Sequence, residues 1–380
     1  MVYDETIRGR DFLMIYLDYA ATTPADSRVI EAVSGCMRET FMNPSAAYSA
    51  AGTARKAQRM ARHEVSQLMQ ADPACVFFTS GGTESNAWVS QLCRGKHAVI
   101  SAIEHASVME NVKRCANSVT LVAPDADGRV RPQAVADAIR ADTALISLQW
   151  ANNETGVIQP VAEVSAIAKK ARIPFHADAV QAFGHIPVDA SLCDFMSVSA
   201  HKLYGPRGVG ALYVKQGVML PPLIHGGHQE SGLRAGTENT PAICGFGEAA
   251  KLAMADMDER AENERAMMRF FVEKLSVPGL RVLGQDAPRL PGVMALLLPG
   301  MESEKVIAQM DLKGICLSGG AACHAQSHAP SPVYRAMGLS EKEASCVIRV
   351  SIGRGITKKA LAHAAQALNE VMQGNPGTGF

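Results

Sequence analysis

Long apolar runs are missing from this 380-residue sequence, and no stretch approaches the roughly 20 residues a membrane-spanning helix needs. A membrane partner is therefore not expected. Charge of one sign is missing too, since 37 Lys and Arg balance 37 Asp and Glu. A polyanion-binding surface needs a basic excess, so direct contact with nucleic acid is not expected. The opening residues, Met1-Val-Tyr-Asp-Glu, have neither a basic nor an apolar region. No secretory signal is read there, and a cytoplasmic location is expected. The nine cysteines form no C-x-x-C pair and keep no regular spacing, which reads as free thiols in a reducing compartment. Cys75, Cys93, Cys115, Cys193, Cys244 and Cys346 sit in apolar or helical contexts and read as small buried hydrophobes. Repeats and low-complexity segments are absent as well.

What the chain does have is alternation, over a length that leaves room for two domains. Short β-rich runs recur at 75–79, 98–101, 118–122, 144–149, 174–177, 195–199 and 210–214. Helix-length patterns such as 84–93, 132–139 and 161–172 lie between several of them. This order predicts an α/β domain with a largely parallel sheet. Ligands on such sheets bind at the carboxyl ends of the strands. The chemically distinctive residues fall there: Ser80 to Thr83, Glu104 and His105, Asn152 and Asn153, Asp178, and His201 with Lys202. A charged helical stretch, 250–275, reads as a solvated connector into a second domain with strand-like runs at 293–298 and 347–352.

The run Phe195 to Ser199 ends in Ala-His201-Lys202 and then breaks into a glycine-rich stretch. A lysine at a strand end can hold an aldehyde cofactor as an imine. The Ser199 hydroxyl and His201 imidazole beside it can hold that cofactor's phosphate. Upstream, Phe175-His-Ala-Asp178-Ala-Val-Gln181 ends a second strand in a carboxylate. A Schiff-base lysine and an acid facing a ring nitrogen are the two parts a pyridoxal 5'-phosphate (PLP) site needs. Asp178 would keep that nitrogen protonated, because opposite charges favour ionised forms.

Thr79-Ser-Gly-Gly82-Thr83-Glu84 follows a strand and opens a helix, and its backbone N–H groups can cradle a phosphate. A plain helix start capped by Thr83 is the other reading of the same residues. Gln181 and Asn153 can bond a ring hydroxyl, or serve as loop hydrogen-bonders. His105 can stack on the ring and take part in proton transfer.

Together these segments resemble the PLP-dependent cysteine desulfurases of the class V aminotransferase superfamily. The likeness is carried by Tyr16-Leu-Asp-Tyr-Ala-Ala-Thr-Thr-Pro24, Asn43-Pro-Ser45, Thr79 to Glu84, Glu104-His105, Asn152 to Gly156, His176 to Gln181, Ser199 to Pro206, Arg234-Ala-Gly-Thr237 and Ser351-Ile-Gly-Arg354. Leu317-Ser-Gly-Gly-Ala-Ala-Cys323 followed by Pro330-Ser-Pro is similar to the cysteine-bearing loop of the long-loop, or group I, desulfurases. Ala321 stands where that family usually has Ser, and Tyr48 where it often has His. His324 and His328 beside the cysteine can lower its thiol pKa or bind a metal with it, or stand as solvated loop histidines; the last is the reading taken, and no metal site is expected.

The resemblance implies the type I fold of PLP-dependent transferases. A large domain with a mostly parallel seven-stranded sheet would occupy residues 24–255 and a smaller α+β domain residues 256–380. Residues 1–23 would pack with the smaller one. It implies a cysteine desulfurase converting L-cysteine to L-alanine. Cys323, Lys202 and His105 are the implied catalytic residues, with a persulfide formed on Cys323, a nucleophilic thiol. PLP would contact Lys202, Gly82, Thr83, His105, Asn153, Asp178, Gln181, Ser199, His201 and, from a second subunit of a homodimer, Thr237. Arg354 and Asn43 would bind the substrate carboxylate. Sulfur would pass to an acceptor protein, serving iron–sulfur assembly, transfer RNA thiolation, thio-cofactors or a specialised pathway. Another class V enzyme, such as a selenocysteine lyase or an aminotransferase, stands as the alternative, and a non-catalytic scaffold as a second one.

Overall fold

A computed structural model of the chain describes residues 14–320 and 330–374. The chain begins with β1 (Ile15–Tyr16), α1 (Ser27–Glu39), α2 (Ala51–Leu68), β2 (Val76–Thr79), α3 (Gly82–Val89), β3 (His97–Ser101), α4 (Ala106–Cys115) and β4 (Ser118–Val122). There follow α5 (Pro132–Asp137), β5 (Thr143–Gln149), α6 (Val161–Ala171), β6 (Phe175–Asp178), β7 (Phe195–Ser199), β8 (Gly210–Val214) and α7 (Thr240–Glu273). The remainder forms β9 (Arg281–Val282), β10 (Val293–Leu297), α8 (Ser303–Leu312), β11 (Ile315–Cys316), α9 (Pro332–Ala336), α10 (Glu341–Ala344), β12 (Val347–Ser351) and α11 (Lys358–Gln373).

The main sheet has seven strands in the order β2-β8-β7-β6-β5-β3-β4, so the mostly parallel seven-stranded α/β fold read from the sequence is what the chain adopts. Pairs β3–β4, β3–β5, β5–β6 and β6–β7 are parallel. Helices cover both faces of such a sheet, which is why β2, β3, β6 and β7 are buried at every position. Only β8 runs against its neighbours β7 and β2. Reversed twice, β2 points the same way as β7. The carboxyl ends of β2, β3, β5, β6 and β7 therefore share one edge of the sheet.

Besides a cluster that includes Phe77, Trp88, Ile100 and Leu212, the described residues form two larger apolar cores. The larger contains Val99, Ile146, Phe175, Met196 and Phe246. The smaller contains Leu17, Met268, Phe271, Leu296, Ile348 and Leu361 and packs against the antiparallel sheet β12-β10-β9. Helix α7 belongs to both, giving Ala253 to the first and Met268 to the second. At 34 residues it is about 50 Å long. It starts ten residues before the charged stretch seen in the sequence, where Asn239 caps it by accepting from the Ala242 N–H. Nor is that stretch wholly solvated. Arg260 and Glu264 are buried, 3.6 Å apart, and Arg260 Nη1 lies 3.2 Å from His185 Nδ1.

The N-terminal strand joins the smaller core through parallel pairing of β1 with β11. The chain then crosses to the sheet edge, where the Thr23 N–H donates to the His201 carbonyl. No helix among the described residues is long and apolar enough to cross a membrane.

Candidate active site

A cavity of about 290 Å³ opens at the shared edge. Gly82, Thr83, His105, Asn153, Asp178, Gln181, Ser199, His201 and Lys202 all line it, although 120 positions separate the first from the last.

Lys202 sits in a single 3₁₀ turn after β7. Its Nζ donates to the carbonyls of Ala20 and Ala21, at 2.6 and 2.8 Å. The N-terminal segment thus holds the amine at the cavity wall. Gln181 Nε2 donates to the same Ala20 carbonyl at 2.8 Å. Asp178 ends β6 and is buried. Its Oδ1 accepts from the Val180 N–H at 3.0 Å and its Oδ2 from Asn86 Nδ2 at 2.7 Å. His105 is the N-cap of α4, its Nδ1 accepting from the Ser107 N–H at 3.1 Å. Of the asparagine pair, Asn152 is spent on its own turn, with Oδ1 accepting from the Glu154 and Thr155 N–H groups. Asn153 is the one that lines the cavity.

The phosphate-sized end of the cavity is made by α3. Its N-cap is Gly81, not Thr83, and no side chain caps it. The first-turn N–H groups are left to an anion. A side chain at Gly82 would put its Cβ 2.7 Å from Val180 Cγ2, so this helix start approaches the strand ends closely and a larger residue would push Val180 aside. The cavity continues into a groove lined by Ser80, Thr83, Ser199, His201 and Arg207. His201 Nδ1 lies 3.1 Å from Thr22 Oγ1. Burial, and then the nearby Lys202 and Arg207 charges, push its pKa down to about 4. It is a neutral hydrogen-bonding ring at physiological pH. Backbone N–H groups, the hydroxyls of Ser80, Thr83 and Ser199, an imidazole and a guanidinium match a phosphate monoester. A carboxylate facing a pocket that holds an amine and an imidazole matches a pyridine ring bearing an aldehyde. The residues present therefore fit PLP.

Three expected site residues are not brought here. Arg354 does not line the cavity. Its guanidinium binds Asp26 at 3.1 Å and Asp256 at 2.7 Å and lies over the Tyr204 ring. The arginine that does reach the cavity is Arg349. Its Nη2 donates to Asp18 Oδ1 at 2.6 Å and its Nη1 to the Asn153 carbonyl at 2.9 Å. Its Nε is buried with no hydrogen-bond partner among the described residues, and the residue is the arginine at the cavity wall, where its charge can meet a carboxylate. The reason is strand periodicity. On β12, Ile348 and Val350 face the smaller core, while Val347 faces the larger, and Arg349 shares Val347's side. Arg354 lies beyond the strand. Asn43 is exposed, its Oδ1 accepting from the Ser45 N–H, and Thr237 is exposed outside the lining. Cys323, His324 and His328 lie outside the described residues.

Sequence reasoning also passed over Asn86, Ser107, Gln149 and Arg207, all of which line the cavity or its groove. A polar residue on the first turns of a helix that follows a strand end is the signal that could have found the first two. Beneath the cavity, Glu104 Oε1 accepts from Ser101 Oγ at 2.5 Å and from the Gln149 N–H at 2.8 Å. Burial pushes its carboxyl up to about 8, so it ties β3 to β5 as a neutral acid.

The aminotransferase class-V family model matches residues 15–362. The cysteine desulfurase IscS of Dictyoglomus turgidum is 38% identical over 372 residues, covering 94% of this chain and 94% of that protein. Among solved structures, a NifS-like protein superposes with a TM-score of 0.88 at 32% identity, covering 95% of this chain and 100% of that one. SspA, solved in complex with cysteine, gives 0.79 at 33% identity, covering 89% and 99%. The chain belongs to the class-V aminotransferase family, whose enzymes work with PLP. Within that family it is a cysteine desulfurase.

Proposed function

We propose that this cysteine desulfurase binds PLP through Lys202 in the cavity at the sheet edge, and that Cys323 receives the sulfur of L-cysteine. One observation carries the reading: the amine of Lys202, the carboxylate of Asp178 and the unoccupied N–H groups at the start of α3 come from separate strand ends and line one cavity.

PLP, when bound, supplies the electron sink that makes bonds at the substrate's α- and β-carbons labile. The chain's own residues do the rest. Gly82, Thr83, Ser199 and His201 hold the phosphate. Asp178 keeps a proton on the ring nitrogen. Asn153 and Gln181 bond the ring's polar edge, and His105 packs against it. Arg349, which lines the cavity, rather than Arg354, which does not, binds the substrate carboxylate. Lys202 Nζ takes the α-proton. The Cys323 thiolate attacks the substrate sulfur, so one S–S bond forms and the substrate's carbon–sulfur bond breaks. L-cysteine and the thiol become L-alanine and a Cys323 persulfide, with no other reactant needed.

The division into domains at 24–255 and 256–380, with residues 1–23 joined to the smaller, belongs to this reading. It is supported from residue 14 onward by the pairing of β1 with β11. Pairing of two chains, bringing Thr237 of one to the phosphate of the other, is supported by the exposure of Thr237. It is also supported by the Arg234–Glu84 ion pair, 2.8 Å, which holds that loop beside α3. A cytoplasmic location and an acceptor protein for the sulfur complete the proposal. The test is Cys323→Ala. It should bind PLP with unchanged absorbance yet form no persulfide and release no sulfide from cysteine in the presence of reductant. Undiminished sulfide release would overturn the assignment.

A further inference from the structure

We infer that Asn86 and Ser107 are positioning residues that hold His105 as its Nε2–H tautomer, so that His105 meets the reaction as a proton-bearing donor and leaves base chemistry to Lys202. The inference rests on the cavity being the PLP site.

The direction of every hydrogen bond in this chain of contacts follows from its two ends. Asp178 is a carboxylate and can only accept. The atom of Asn86 facing Asp178 Oδ2 at 2.7 Å is therefore the amide nitrogen. That nitrogen has a second hydrogen, which it donates to Ser107 Oγ at 2.9 Å. Ser107 Oγ lies 2.8 Å from His105 Nδ1. At the other end, the Ser107 backbone N–H, always a donor, points at the same Nδ1 from 3.1 Å. A proton on Nδ1 would face that N–H head on. Nδ1 is thus an acceptor, and the Ser107 hydroxyl, already accepting from Asn86, gives it its hydrogen. The imidazole proton is left on Nε2. Asn86 and Ser107 are both buried, and bonds between buried groups are stronger than the same bonds in water. One amide, on the second turn of α3, thereby fixes both the Asp178 carboxylate and, through Ser107, the ring of His105.

The test is a side-chain nitrogen–proton correlation spectrum of the PLP-bound enzyme labelled with 15N-histidine, the His105 signals being those absent from His105→Gln. The expected result is an unprotonated, hydrogen-bonded Nδ1 and a protonated Nε2. Ser107→Ala should shift the Nδ1 signal and lower kcat about 10-fold, the rate equivalent of one ordinary hydrogen bond, with KM nearly unchanged. Ser107→Thr, which keeps the hydroxyl, should restore both. A proton on Nδ1 in the unaltered enzyme would overturn the inference. So would a Ser107→Ala enzyme whose His105 signals and kcat are unchanged. If the enzyme fails to take up PLP, it is the reading of the cavity that falls. The His105 tautomer, recorded on the labelled enzyme without added PLP, still decides whether Asn86 and Ser107 set it.

Discussion

The sheet side of the cavity and the side facing it place their charges by different rules. On the sheet side, Asp178 and Lys202 stand at the ends of adjacent strands β6 and β7. The strand end alone puts each of them on the binding edge, although distant groups then orient them, the Ala20 and Ala21 carbonyls for Lys202 and Asn86 for Asp178. On the facing side, Arg349 lies in the middle of β12, and its partners are Asp18, 331 positions earlier, and the Asn153 carbonyl, 196 positions earlier. Its place depends on how the smaller core packs against the larger. Chemistry at a strand end is written locally. Chemistry on a packed strand is written in the assembly.

The most damaging change should be Lys202→Ala. It should abolish the absorbance of lysine-bound PLP and lower kcat at least about 10³-fold, because both the tether and the base are lost. Retention of that absorbance would break the assignment of the sheet side.

The facing side is tested by a pair of variants. Arg349→Ala should raise KM for cysteine about 10- to 100-fold, the worth of one charge-assisted hydrogen bond, while PLP still binds. Arg354→Gln should leave KM alone and cost about 1–3 kcal/mol of stability in denaturant unfolding, since it frees Asp26 and Asp256 from their shared partner. Reversed results would restore Arg354 to the substrate.

A smaller effect is expected from Gly82→Ala. Its Cβ would meet Val180 Cγ2 at 2.7 Å, and the side chain can give way. PLP affinity should fall severalfold in a spectroscopic titration, with little change in melting temperature. A substitution without effect on affinity would separate α3 from the phosphate.

The gentlest test is pH. Burial holds His176 and His201 down to about 4, and His185 to about 3, against an ordinary 6.5. Below pH 6.5 the unfolded chain binds these protons and the folded one does not. Stability from these groups is therefore complete above about 6.5 and is lost as pH falls towards 4. Glu104, raised to about 8 from 4.5, has the opposite sign. Its contribution is complete below about 4.5 and is lost as pH rises through 8. Melting temperatures should fall on both limbs, and Glu104→Gln should make the alkaline one shallower, with Glu264, raised by burial to about 7, keeping the rest, and should leave the acid one unchanged. A flat acid limb would contradict the buried neutral histidines.

Most of the fold was legible, because alternating short apolar runs and helix-length patterns leave few ways to build a sheet. The sheet side of the site was legible for the same reason: the residue after a parallel strand lands on the binding edge. Arg349 was not. Two arginines five residues apart, in a strand and just past it, are alike in sequence. Choosing between them takes knowledge of which face of β12 meets which core. Glu264 was misread as a solvated charge because its helix is charged throughout, and only the packing of α7 shows that this position points inward.

By itself, then, the sequence determined the strand order's raw material, the lysine, the acid partner and the glycine-opened helix, since each follows from contacts along a few neighbouring residues. Tertiary structure alone decided which arginine faces the ligand, which asparagine orients His105 through Ser107, and which carbonyls hold the Lys202 amine. Those choices join residues more than 20 positions apart, and only the packing of one core against another brings such residues within hydrogen-bonding distance.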